Sequence, residues 1–128
     1  PFMALDDYDQ LLWQCDINFV RGEDSFVRAQ WAGQPFIWQI YRQEEDAHLI
    51  KLSAFLERYC ANMPEQDARA ITNMFVAWNG AESSVADAWA AFLAHWEGIG
   101  RYSRAWSRKM AMESDLATRL VNFCAARV

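Results

Sequence analysis

Two short apolar runs, Cys15-Asp16-Ile17-Asn18-Phe19-Val20 and Phe36-Ile37-Trp38-Gln39-Ile40, flank a segment that reads as a helix. This arrangement constrains the fold more than any other feature of the chain. Both runs carry the β-branched and aromatic residues of buried strands. Between them, residues 24–32 have helical character, with Asp24 or Ser25 placed to cap the first turn and Gly33 placed to end the last. Two strands joined by a helix make a right-handed parallel βαβ unit. The chain is therefore expected to be α/β, with residues 15–20 and 36–40 as adjacent parallel strands.

The turn between the first strand and the helix, Arg21-Gly22-Glu23-Asp24-Ser25, is where such folds bind anions. Free backbone N–H groups and the positive end of the helix dipole converge there. Gly22 permits a sharp turn and close approach of a ligand. Arg21 or Arg28 supplies positive charge, and the Ser25 hydroxyl adds a donor. Glu23 and Asp24 would repel a phosphate directly. That conflict disappears if Glu23 hydrogen-bonds a hydroxyl of the ligand and Asp24 caps the helix. A bridging metal is the other escape, but the neighbouring chain has no convincing set of ligands for one. The plain alternative is a capped helix that binds nothing.

The remainder reads as helix. Residues 6–14 place Tyr8, Leu11, Leu12 and Cys15 at helical spacing. Leu49, Leu52, Leu56 and Tyr59 mark one face of a helix over 45–60. Pro64 suits the first turn of the next, with Ala68, Ile71, Phe75 and Trp78 inward and Asn79-Gly80 as its stop. Val85, Trp89, Phe92 and Trp96 continue the spacing. Gly98 and Gly100 are expected to interrupt or kink the pattern before Tyr102, Trp106 and Met110 resume it. Asp115 is expected to cap a last helix carrying Leu116, Leu120 and Phe123.

At 128 residues the chain supports one compact domain. A hydrophobic content of 53% and seven Trp argue for a filled core rather than disorder. The net charge of −5 gives no footprint for nucleic acid. No apolar run is long enough to span a bilayer. No signal-peptide pattern stands at the start. Cys15, Cys60 and Cys124 are widely spaced and form no CxxC motif, so they read as structural thiols of a reducing compartment. A cytoplasmic location is expected. The chain starts at Pro1, which points to a piece of a longer protein. Two candidate strands are also too few for a free-standing doubly wound sheet.

Asp7-Tyr8-Asp9, Leu11-Leu12-Trp13, the long run from Cys15 to Gly33, Pro35 to Tyr41, and Gln43-Glu44-Glu45-Asp46-Ala47-His48 together resemble the C-terminal part of the bacterial elongation factor P arginine rhamnosyltransferases. The resemblance is specific over residues 1–60 and looser beyond. It implies an incomplete Rossmann-like C-terminal half of a GT-B glycosyltransferase, a parallel βαβ unit followed by a helical tail. Residues 1–128 would then be a nucleotide-sugar (donor) binding domain, a fragment of a two-domain enzyme. The activity implied is transfer of L-rhamnose from dTDP-β-L-rhamnose to an arginine of elongation factor P, with inversion, and with neither a metal nor a cofactor. The partners implied are dTDP-rhamnose, elongation factor P and the missing N-terminal domain, with no role for nucleic acid or membrane.

The resemblance also names donor-binding residues. Phe2 corresponds to an aromatic that packs near the thymine, and Tyr8 to the aromatic of the family's Asp-aromatic-Asp motif. Arg21, Glu23, Asp24 and Ser25 correspond to the donor-contacting run, and Tyr41 to the tyrosine that ends the second strand. The catalytic aspartates of the family lie in the N-terminal half, so no catalytic residue is expected here and the fragment alone should be inactive. There are two departures. Arg42 stands where the family commonly has the proline of Tyr-Pro-Gln, and Leu5-Asp6 stand where a glutamine often precedes Asp-Tyr-Asp.

His48 reads as a packed or solvated helix residue. His95 reads as structural, without a carboxylate motif to orient it. Arg101, Arg104, Arg108 and Lys109 form a basic helical face, either solvated or turned to the missing half. The tryptophans read as core or interdomain packing. The reading from a different class is a mostly helical protein-interaction or regulatory module without catalytic role. A parallel βαβ unit with an open pocket at the Gly22 turn would favour the transferase.

Overall fold

A computed structural model of the protein describes residues 3–80 and 83–126. Its elements run α1 (Leu5–Gln14), β1 (Asn18–Val20), α2 (Glu23–Ala32), β2 (Phe36–Trp38), a 3-10 turn (Glu44–Asp46), α3 (Ala47–Cys60), α4 (Glu65–Trp78), α5 (Val85–Ala94), α6 (Trp96–Met112) and α7 (Leu116–Ala125). The protein is a mostly helical α/β structure with a small sheet of two strands. None of the helices among the described residues is long and apolar enough to cross a membrane.

The strands pair in parallel, with Asn18 opposite Phe36, Phe19 opposite Ile37 and Val20 opposite Trp38. They are shorter than the apolar runs. Residues 15–17 bend into the sheet instead of pairing. Gln39 continues the ladder by one bond, its N–H donating to the Val20 carbonyl at 2.8 Å. Every residue of β2 is buried, as expected of a strand covered on both faces.

The core is aromatic. Phe26 of α2 stacks on Trp38 at a centroid distance of 3.9 Å, and Phe36 meets Tyr59 and Phe75 edge-on at 5.6 and 5.9 Å. Such pairs each contribute about 0.5–1.5 kcal/mol beyond the area they bury. Tyr59 satisfies its buried hydroxyl on Ser103 Oγ at 3.0 Å, and the Tyr102 hydroxyl donates to the Tyr59 carbonyl at 2.6 Å. α6 is thereby fastened to α3. Burial pushes both phenols and the Cys60 thiol above their ordinary pKa values.

Several helical expectations change in the folded chain. α3 begins at Ala47, because Glu45 and Asp46 adopt left-handed φ values of 54° and 56° and divide the expected helix from a preceding 3-10 turn. Leu49 faces out, as do Val85 and, in part, Trp78. Gly98 and Gly100 do not interrupt anything: they lie within α6, and the chain breaks at His95 instead. Gly98 serves close packing. A Cβ at Gly98 would overlap Asp67 Oδ2 and lie 2.7 Å from its Cγ. Asp67 in turn holds His95, with Oδ1 at 2.8 Å from Nδ1, so His95 does have an orienting carboxylate, supplied from α4. Gly33 ends α2 at φ 70°, and Asp115 caps α7 through the Thr118 N–H at 2.9 Å, both as expected.

Candidate functional site

The residues just beyond the C-terminal ends of the two strands are held by side chains from other elements. The Trp38 indole N–H donates to the Arg21 carbonyl at 2.9 Å. The Ile40 N–H donates to Asn79 Oδ1 at 3.0 Å, while Asn79 Nδ2 donates to the carbonyls of Trp38 and Phe75, both at 2.8 Å. The Asn79 amide thus pairs with β2 much as a neighbouring strand would, and it satisfies a backbone N–H that would otherwise be orphaned. Arg21 and Tyr41 consequently lie side by side, with the guanidinium carbon 4.7 Å from the ring centroid. A cation over an aromatic face at an exposed site contributes about 0.5–1 kcal/mol.

Arg21 and Tyr41 open onto a cavity of about 330 Å³ whose walls also include Arg42, His48, Asn79 and Gly80. A larger cavity of about 780 Å³ runs between α3 and α4 and shares Arg42, His48, Asn79 and Gly80 with the first. Among the described residues, the larger space lacks every residue expected to bind donor; the smaller one holds two of them.

At the N-terminus of α2 the arrangement differs from expectation. Gly22 is the N-cap residue, and no side chain among the described residues caps the helix. Asp24 instead bonds Arg28 one turn on, Oδ2 to Nε at 2.8 Å. The Arg28 Nη1 also reaches both oxygens of Asp9, at 2.9 and 2.8 Å. Asp9, then Asp24, hold the Arg28 guanidinium more firmly protonated than usual. Arg28 is therefore a clamp between α1 and α2, not a cation aimed at the turn. The physical reason is the helical period: residues 24 and 28 share a face, and that face meets α1. Without a capping side chain, the first-turn amides of α2 keep their donors open.

Glu23 is exposed and stands 3.9 Å from Lys51 Nζ of α3. Ser25 is half-buried beside Gly22. Tyr8 is partly buried against the core from α1. Phe2 lies outside the described residues. The fold therefore brings Arg21 and Tyr41 together, puts Glu23, Asp24 and Ser25 on the adjoining helix start, and sets Tyr8 on the helix clamped to it.

Arg42, His48 and Asn79 are wall residues that the sequence does not announce. Asn79-Gly80 signals a helix stop, which it is, but nothing local says that its amide reaches residues 38 and 40. His48 is buried in the first turn of α3, its Nδ1 accepting the Gln43 N–H at 3.3 Å. The basic face of α6 is exposed as expected, with Arg101 3.8 Å from Glu97 and Lys109 over the Trp106 ring at 5.9 Å.

Residues 1–125 match the family described as elongation factor P (EF-P) rhamnosyltransferase EarP. The chain is 54% identical over 125 residues to a protein-arginine rhamnosyltransferase of Pseudomonas aeruginosa, covering 98% of this chain and 33% of that protein. It is 48% identical over 123 residues to that of Pseudomonas putida, covering 96% and 32%. It is 38% identical over 127 residues to that of Neisseria meningitidis, covering 96% and 33%. A solved structure on EarP-mediated arginine glycosylation of translation elongation factor EF-P superimposes with a TM-score of 0.82 at 42% identity, over 100% of this chain and 40% of that one. The chain spans about a third of the length of the curated relatives it matches. With the match running through both strands, the Gly22 turn and the helices beyond, the chain belongs to the EarP family of elongation factor P rhamnosyltransferases.

Proposed function

We propose that residues 1–128 are the C-terminal, donor-binding portion of a two-domain GT-B enzyme that transfers L-rhamnose from dTDP-β-L-rhamnose to an arginine of elongation factor P. The observation that carries this reading is the pairing of Arg21 with Tyr41 at the C-terminal ends of two parallel strands, beside the uncapped start of α2. Ligands of open α/β sheets bind in the crevice at that end. In this reading the sheet is the later part of a Rossmann-like half whose other strands lie in the rest of the longer protein. Phe2 packs near the thymine, Tyr8 lines the donor site from α1, and Glu23 accepts a hydrogen bond from the deoxyribose 3′-hydroxyl. The Ser25 hydroxyl and the first-turn amides of α2, including that of Asp24, hold the diphosphate with Arg21. The Asp24 side chain pairs with Arg28, which Asp9 also holds.

The reaction is a single displacement. A guanidine nitrogen of the acceptor attacks the anomeric carbon from the face opposite the diphosphate. The carbon–oxygen bond breaks, dTDP leaves with the bonding pair, and the configuration inverts. Donors aimed at the leaving diphosphate stabilise its growing charge without a metal. The guanidinium proton must go to a carboxylate base, which this reading places in the N-terminal half. The free thiols of Cys15, Cys60 and Cys124 are in keeping with work in the reducing cytoplasm.

A second reading, a helical protein-interaction module, has α7 in its favour, where Leu116, Leu120 and Val121 are all exposed. Mass spectrometry of elongation factor P incubated with dTDP-rhamnose separates the two. The longer protein should form a rhamnose adduct and this chain alone should not, because positioning acceptor against donor needs both walls of the cleft. An adduct formed by this chain at the longer protein's rate would put the acceptor site and base within these residues. No adduct with the longer protein would remove the transferase reading.

A further inference from the structure

We infer that Arg42 and His48 are further anion-binding residues of the cavity at the strand ends, so that the donor's diphosphate is held by two guanidiniums rather than one. This rests on the donor-site reading above.

The chain carries a net charge of −5, yet among the described residues the wall of this cavity contains Arg21 and Arg42 and no carboxylate. Neither arginine has an ion-pair partner among the described residues. A concave site with two unpaired guanidiniums favours an anion, and the planar fork of each matches two phosphoryl oxygens.

The two side chains have different supports. Arg21 lies over the Tyr41 ring. Arg42 lies along Gly80, whose φ of 95° excludes most side chains, and a Cβ there would stand 3.4 Å from Arg42 Nη2. His48 adds a third donor. Its Nδ1 accepts the Gln43 N–H, which requires a lone pair on that nitrogen and leaves the ring hydrogen of the neutral tautomer on Nε2. That ring is in the wall of the same cavity. The Asn79 amide is fully engaged with backbone at residues 38, 40 and 75, so it positions the rim rather than meeting a ligand.

The ligand class is a diphosphate, and the test uses inorganic pyrophosphate and dTDP side by side, by calorimetry on the full-length protein. Arg42→Gln should weaken both by about 10–100-fold, the usual effect of deleting a hydrogen bond to a charged group, while thymidine binding stays unchanged. Arg42→Lys should fall between. His48→Phe should weaken pyrophosphate by several-fold, and Arg108→Gln on the far basic face of α6 should change nothing. Unaltered pyrophosphate and dTDP affinity in Arg42→Gln overturns the inference and leaves the donor site standing on Arg21. Absence of pyrophosphate binding by the unmodified protein also overturns it. Arg42-dependent pyrophosphate binding without any dTDP binding keeps the anion site and removes the dTDP-rhamnose reading.

Discussion

Asn79→Ala is the sharpest probe of how the site is built. Asn79 itself sits at φ −91° and ψ 10°, a conformation alanine adopts without strain, so the backbone end of α4 is not perturbed. The side-chain amide is lost. Ile40, which is buried, then has an N–H without an acceptor, at a cost of about 1–3 kcal/mol. The carbonyls of Trp38 and Phe75 each lose a donor, adding roughly 0.5–1 kcal/mol apiece. The expected destabilisation is about 2–5 kcal/mol, a fall of about 1–2.5 M in the urea midpoint at a slope typical of a small domain. Asn79→Asp sharpens the test. It keeps an oxygen for Ile40 but turns a second oxygen toward two carbonyls, so it should be no more stable than the alanine variant despite its closer shape. Both variants should also weaken dTDP binding, because Tyr41 comes directly after Ile40. Urea unfolding within about 0.5 kcal/mol of the unmodified chain for Asn79→Ala, or full stability for Asn79→Asp, would refute the idea that this amide completes the sheet.

Gly98→Ala in a helix interior would ordinarily stabilise by about 1 kcal/mol. Here it should destabilise by about 1–3 kcal/mol, since the Asp67 carboxylate must move and release His95. In an Asp67→Ala background the same change should stabilise, and a double-mutant cycle of urea unfolding that shows no reversal contradicts the packing argument. For alkaline pH, the unfolded chain loses the Tyr59 proton near its ordinary 10.0 while burial holds it in the folded chain to higher pH. The stability it contributes is therefore complete below pH 10 and is lost as pH rises above it, and Tyr59→Phe should remove about 1.4 kcal/mol per pH unit from that slope. An unchanged slope in Tyr59→Phe would show that other groups govern alkaline unfolding. Asp24→Ala should leave urea unfolding essentially unchanged, because Arg28 keeps Asp9 and no cap is lost; a loss as large as a deleted N-cap would restore the capping role.

The sequence by itself determined the local architecture of this protein. The β-branched and aromatic runs around residues 18–20 and 36–38, Gly33 after a helical segment, and the 3–4 spacing of Leu52, Leu56, Ile71 and Phe75 are short-range signals. Each is decided by which side chains share a face within a few residues. The resemblance to a family singled out Arg21 and Tyr41; Arg21 follows β1 directly, while β2 ends at Trp38 and Tyr41 lies three residues beyond it rather than ending the strand. Tertiary structure alone decided which distant groups meet. Arg28 sits one turn from Asp24, but only the packing of α1 on α2 brings Asp9 to it and takes it away from the turn. Gly98 and Gly100 read as breaks because glycine is a poor helix former, yet a helix held by packing tolerates them, and at Gly98 a carboxylate from α4 occupies the space that a side chain would fill. His48, Arg42 and Asn79 came to the strand ends for the same reason: α3 and α4 pack across β2, and a contact between residues 38 and 79 has no local signature. It is selected by how whole helices bury their apolar faces, which is a property of the packed chain and not of any short stretch of it.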